Sequence, residues 1–139
     1  MTLITPLKAL LLSLSCLILL GCTSKKPSVN VEQLLKTDHS WDGSPYAPYP
    51  AGQPEITVLK ITIPANTALN WHTHPMPNVA YVLSGELRVE TRDGKHMTTL
   101  KPGQVLPEVV QTEHRGISGN KQVELIVFYA GGAGMPLSQ

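Results

Sequence analysis

Asn70-Trp71-His72-Thr73-His74-Pro75-Met76-Pro77-Asn78-Val79-Ala80-Tyr81-Val82-Leu83-Ser84-Gly85 is the stretch on which the reading of this chain turns. It opens with two histidines one residue apart and runs into an apolar segment that stops at Ser-Gly. In a strand, side chains at i and i+2 project to the same face, so His72 and His74 can reach one point off a sheet. Neutral imidazole is the commonest protein ligand for a metal, so the pair is half of a chelate. The third ligand has to come from elsewhere, and His114 is the best placed, in the next turn-bounded apolar stretch but one. Two histidines at this spacing are more often surface or hydrogen-bonded residues, so the surrounding pattern has to carry the assignment.

Outward from this stretch the chain reads as strands. Residues 56–63 are rich in β-branched side chains and stop at Pro64, the signature of a strand. Residues 79–83 and 86–91 flank Ser84-Gly85 and are expected to pair as a hairpin. Arg92-Asp93-Gly94-Lys95 supplies a second turn of that kind, with 96–100 returning. A short strand at 104–106 follows Pro102-Gly103, and 123–129 is the last strong strand before Gly131-Gly132. Residues 31–35 fit a short helical turn or an edge strand equally. Many short strands with regular turn signals and no helix of normal length predict an all-β barrel or sandwich.

Two groups of residues give this barrel a family resemblance. In the first, His72-Thr73-His74 is followed by Asn78 and Gly85; in the second, Pro102-Gly103-Gln104 is followed by Glu108, His114 and Asn120. Their order and separation resemble the two motifs of the cupin superfamily, over about residues 55 to 130. The resemblance implies a single jelly-roll barrel holding a divalent metal, with Fe, Mn, Ni and Zn not distinguished. It also implies dioxygenase, isomerase or decarboxylase chemistry on a small organic molecule, and pairing of two copies into a homodimer. The sequence departs from the pattern at Asn78, where the family has an acid.

That departure shapes the expected site. His72, His74 and Asn78 share one parity, as do Glu108 and His114, so each set can share a face if its strand stays extended. Prolines 75 and 77 remove ladder donors and bend the strand between them. Three neutral imidazoles alone leave the ion's charge uncompensated. Glu108 is therefore a candidate fourth ligand or general base, and Asn78 could coordinate through its amide oxygen or bind a water instead. Trp71, Tyr81, Leu83, Leu106, Val110, Ile126 and Phe128 are the expected apolar walls, a lining typical of small-molecule sites. Arg115 should face the other way and form an ion pair; His96 reads as a surface residue, and His39 has no partner at ligand spacing.

The N-terminus has its own character. Lys8 precedes an almost wholly apolar run over residues 9–20, too short for a comfortable membrane span and shaped like a secretion signal. It ends in Leu19-Leu20-Gly21-Cys22, which looks like a bacterial lipobox with Cys22 as the lipidated residue. Several acyl chains would anchor the protein firmly to a membrane, and Thr23, rather than Asp, resembles the sorting signal for the periplasmic side of the outer membrane. Cys16 lies in the segment to be removed, so the mature domain keeps no thiol for a disulfide. Without residues 1–21 the chain has ten basic and ten acidic side chains and no basic patch, which excludes nucleic acid as a natural partner.

The expected organisation is thus a signal at 1–21, a flexible tether at 22–30, a Pro- and aromatic-rich lead-in at 31–54 packing on the barrel, the barrel at 55–131 and a tail at 132–139. Two function classes follow: a metal-dependent enzyme, and a lipoprotein that binds a metal or small molecule without turnover.

Overall fold

Residues 26–139 are described by the computed structural model. The chain divides into two units after Val31. Of the first, residues 26–31 are exposed and carry no regular structure, while the expected signal and Cys22 lie outside the described residues. The second unit is all-β and has no helix. Residues 32–35 are likewise exposed and irregular, neither the helical turn nor the edge strand that their pattern allows.

Seven strands form, all but β6 on β-branched or apolar runs bounded by turn residues: β1 (Pro54–Ile63), β2 (Asn78–Ser84), β3 (Leu87–Thr91), β4 (Met97–Leu100), β5 (Val105–Pro107), β6 (His114–Ser118) and β7 (Val123–Gly132). They make two sheets, one ordered β1-β7-β2-β5 and the other β4-β3-β6, with every pairing antiparallel. Irregular residues 66–72 extend the second sheet along β6: Leu69 N–H bonds Gly116 O at 2.9 Å, and His72 and His114 bond each other's backbones. Between the sheets lies one core, built from Ile63, Val82, Leu87, Val89, Val123, Leu125 and Val127. Burying each such side chain contributes roughly 1.5–3 kcal/mol relative to leaving it exposed.

Three features correct or add to the expectations. β2 and β3 do not form a hairpin; they belong to different sheets. A register shift after Val82 and the left-handed backbone of Gly85 (φ 78°) carry the chain round a corner instead. Locally a corner and a hairpin turn look alike, and only the distant partners β7 and β6 distinguish them. Second, β6 is a full strand although His-Arg-Gly-Ile-Ser has little strand character; its ladder with β3 and its close packing at Gly116 overrule propensity. Third, of the expected walls only Leu106 is buried in the core; Leu83 and Phe128 are exposed, and Trp71, Tyr81, Val110 and Ile126 are half-buried. β2 and β7 are apolar on both faces, so alternation could not say which face turns inward, and the inward set is Ala80, Val82, Leu125, Val127 and Tyr129.

The β3–β4 hairpin forms as expected, with Glu90 opposite Met97. Arg115 also behaves as expected. It pairs with Glu90 at 2.7 Å and stacks on the outer Trp71 ring at 4.3 Å.

Candidate metal centre

His72, His74 and His114 come together inside the barrel. Their ligand atoms all lie within 4.8 Å of one another, and the three ring centroids are 4.5 to 5.0 Å apart. His74 and His114 are buried, and His72 is half-buried at the more open side. Nitrogens sharing one ion at about 2.1 Å stand roughly 3.4 Å apart in a tetrahedral shell. Movements of less than about 1 Å per ring would therefore close the cluster round an ion.

Each imidazole is oriented by its second nitrogen. Nδ1 of His72 donates to Asn70 O at 2.8 Å, Nδ1 of His114 to Thr112 O at 2.8 Å, and Nδ1 of His74 to Leu137 O at 2.7 Å. A carbonyl oxygen only accepts, so the proton sits on Nδ1 in all three neutral rings. Nε2 is then left with its lone pair, the arrangement that metal-binding histidines show.

Glu108 joins the cluster from a different element. Its backbone is held on both sides: its N–H donates to Asn78 O at 3.0 Å, and its carbonyl accepts from the Tyr46 hydroxyl at 2.7 Å. Burial, followed by the Glu108 charge, pushes the Tyr46 phenol up to about 12, which keeps it a neutral donor. Beyond Glu108, Gln111 adopts a left-handed backbone (φ 59°), and its N–H bonds His74 O at 2.9 Å. This tight loop lets Glu108 and His114 line one small cavity although five residues lie between them in the chain.

Glu108 and His114 face each other across that cavity. Glu108 Oε2 lies 3.3 Å from His114 Nε2, within ion-pair range. Both atoms are buried and have no hydrogen-bond partner among the described residues. A carboxylate oxygen facing an imidazole lone pair is repulsive unless a proton or a metal ion stands between them. Burial disfavours charge on His114, but the Glu108 carboxylate outweighs it and raises the imidazole above its usual range. His74, by contrast, is lowered by burial and so stays neutral. The residues present therefore fit a divalent ion: three oriented nitrogens and one carboxylate without other occupation.

The cavity has a volume of about 50 Å³ and is otherwise apolar, with Leu69, Leu87, Val89, Leu125 and Val127 among its walls. Tyr129, which the sequence reading did not single out, also lines it, its ring 5.8 Å from that of His74. No local signal marks it, because β7 is apolar on both faces. Asn78 is buried but is not among the residues lining this cavity. Its Nδ2 donates to Met76 O at 3.3 Å, while Oδ1 has no partner. His96 is exposed, and His39 pairs with Asp38 in the lead-in.

Comparison with known proteins agrees with this architecture. The DMSP lyase DddQ from Ruegeria pomeroyi DSS-3 superposes with a TM-score of 0.53 at 19% identity, over 68% of this chain and 45% of that one. A cupin-like protein from Thermotoga maritima gives 0.52 at 18% identity, over 60% of this chain and 62% of that one. An RmlC-like cupin from Shewanella frigidimarina gives 0.50 at 22%, over 58% and 69%. At these identities the likeness is one of fold, and the chain spans less than half the length of the lyase. No curated protein matches in sequence. The sequence profile of the cupin domain matches residues 59–129, just over half of the chain and the span that holds all three histidines and Glu108. With its two antiparallel sheets, its inward histidines and this match, the chain belongs to the cupin domain family.

Proposed function

We propose that this protein binds a divalent transition metal through Nε2 of His72, His74 and His114, with Glu108 as the fourth protein ligand or as a base beside it. One observation carries the reading: all three imidazoles commit Nδ1 to backbone carbonyls, which leaves three Nε2 lone pairs for one cavity. Asn78 is the weaker alternative for the fourth position, because it does not line the cavity.

A bound ion of this class supplies Lewis acidity and, for iron or manganese, redox chemistry. The chain's own groups do the rest. Glu108 offsets the ion's charge or takes a proton at its carboxylate oxygen, and the apolar walls exclude water and strengthen electrostatics inside. A small organic substrate would approach on the half-exposed His72 side, for oxidoreductase (dioxygenase-like) or isomerase chemistry. The second reading is a binding lipoprotein without turnover, favoured by a cavity of about 50 Å³, which suits an ion and a water better than an organic molecule.

The same proposal places the protein at a membrane through lipidation of Cys22, on the periplasmic side of an outer membrane, and pairs two copies into a homodimer. The dimer is supported by the outer face of β1, where Ile56 and Val58 are 57% and 56% exposed along a strand that, among the described residues, ends its sheet.

Metal content of untagged protein tests the first step: near-stoichiometric metal is expected in the wild type and strong loss in His72→Ala, whereas equal content in both removes His72 from the shell. Oxygen uptake with catechols, diketones and flavonols separates the enzyme from the binder. Cys22→Ser should abolish acyl labelling; unchanged labelling refutes the anchor.

A further inference from the structure

The three histidines are not held in the same way. His72 and His114 each bond a carbonyl two residues back along their own segment, Asn70 O and Thr112 O. Their orientation is built into the strands that carry them. His74 finds its acceptor 63 residues away, at Leu137 O. The segment that presents this carbonyl is clasped to the chain beside His74: Thr73 N–H donates to Gln139 O at 2.9 Å, and Gln139 N–H donates to Thr73 O at 3.0 Å. A left-handed glycine, Gly134 (φ 77°), turns the chain out of β7, and Met135 and Leu137 pack their side chains against the core.

We propose that residues 133–139 are a positioning element of the metal centre, which sets the ring of His74 through the Leu137 carbonyl and makes metal affinity conditional on docking of this segment. The inference rests on the reading of the three histidines as ligands. With the segment detached, Nδ1 of His74 loses its acceptor in a buried site. The imidazole is then free to rotate or to move its proton to Nε2, and either change removes one of the three lone pairs. Loss of such an outer partner typically lowers metal affinity roughly 10- to 100-fold. Coupling between two sites is reciprocal, so the metal must tighten the clasp by the same factor. Anything that captures or trims this segment would thereby loosen the metal.

Two variants test this. One lacks residues 135–139; the other, Gln139→Pro, keeps the segment but removes the N–H that closes the clasp. Zn(II) affinity, measured by competition with a chromophoric chelator, should fall roughly 10- to 100-fold in the shortened protein and by a smaller factor in Gln139→Pro. In metal-free protein, ¹⁵N NMR of the imidazoles should show His74 losing its Nδ1-protonated form while His72 and His114 keep theirs. General destabilisation of the barrel would not single out one ring. Hydrogen exchange at the amides of Thr73 and Gln139 should slow when Zn(II) binds the wild type. Affinity within about threefold of the wild type in the shortened protein, or an unchanged His74 tautomer, overturns the proposal. Should the wild type bind no metal, the metal-site reading fails while the NMR comparison still decides whether the segment sets His74.

Discussion

The backbones of His72 and His114 exchange both N–H···O=C hydrogen bonds, at 3.1 and 3.0 Å. Directly opposed residues in an antiparallel pair project to the same face. This one bridge therefore brings together the two motifs read in the sequence, and it explains why their rings sit 4.5 Å apart, centroid to centroid. The bridge sits between residues whose neighbours are irregular on one side and β6 on the other, so tertiary packing holds it rather than strand propensity.

The placement of Glu108 predicts a ranking. Glu108→Gln removes the charge that faces His114 Nε2 and should weaken Zn(II) binding by about tenfold or more. Asn78→Ala should weaken it less, since Asn78 does not line the cavity. Chelator competition on both variants reads this directly, and the opposite order would move Asn78 into the shell.

A pH dependence follows from the two shifted histidines. His114 is raised, with Glu108 favouring its protonated form against burial. In metal-free protein this adds stability that is fully present below the unfolded value of 6.5 and is lost as pH rises through the higher folded value. His74 is lowered by burial, so its contribution is present above 6.5 and is lost as pH falls through the lower folded value. Metal needs all three rings neutral at Nε2, so binding should release a proton near neutral pH and weaken as pH falls. Calorimetry in buffers of different ionisation enthalpy measures the released proton, and Glu108→Gln should reduce it.

The β3–β4 turn carries its own acid-labile device. Asp93 accepts from the Thr91 hydroxyl at 2.7 Å and from Lys95 N–H at 3.1 Å, and these bonds lower its carboxyl to about 2. Its stabilising effect is complete above 3.8 and is lost as pH falls from there toward 2. Asp93→Asn should flatten the acid limb of the stability profile in that window without altering metal content at pH 7.

Gly85 is predicted to be irreplaceable at the corner between the sheets. A Cβ there would clash with Gln122 O and lie 3.0 Å from Val123 Cα, on a backbone at φ 78°. Both neighbours are main chain and cannot yield cheaply. Gly85→Ala should cost about 2–4 kcal/mol, read as a lower denaturant midpoint, because strain and overpacking add. Gly94→Ala meets no atom within 4 Å and should cost only its positive-φ strain, about 1 kcal/mol.

The exposed face of β1 predicts the oligomer. Val58 stands opposite Phe128 in the register, and both are exposed. Val58→Lys should leave the fold and metal content intact and shift light-scattering mass from dimer to monomer. An unchanged mass in the variant would argue against this face.

Much of the architecture was legible in the chain itself. The β-branched runs between Gly and Pro signals located six of the seven strands, and the i, i+2 spacing of His72 and His74 with a later His114 named three residues that converge. These features are local: alternation and turn chemistry are written within a few residues of where they act. What failed was non-local. The Ser84-Gly85 corner passed for a hairpin, and the inward faces of β2 and β7 were misread because both faces are apolar.

Residue types and spacing by themselves determined an all-β chain with an imidazole cluster and one carboxylate in reserve. Only the tertiary structure decided that Glu108 rather than Asn78 shares the cavity, that Tyr129 lines it, and that Leu137 sets the ring of His74. The physical reason is that these relations depend on backbone carbonyls and on which sheet each strand joins. A carbonyl is the same in every residue, and a strand's partner is chosen by packing across the whole barrel, so neither leaves a mark in the side chains that the sequence spells out.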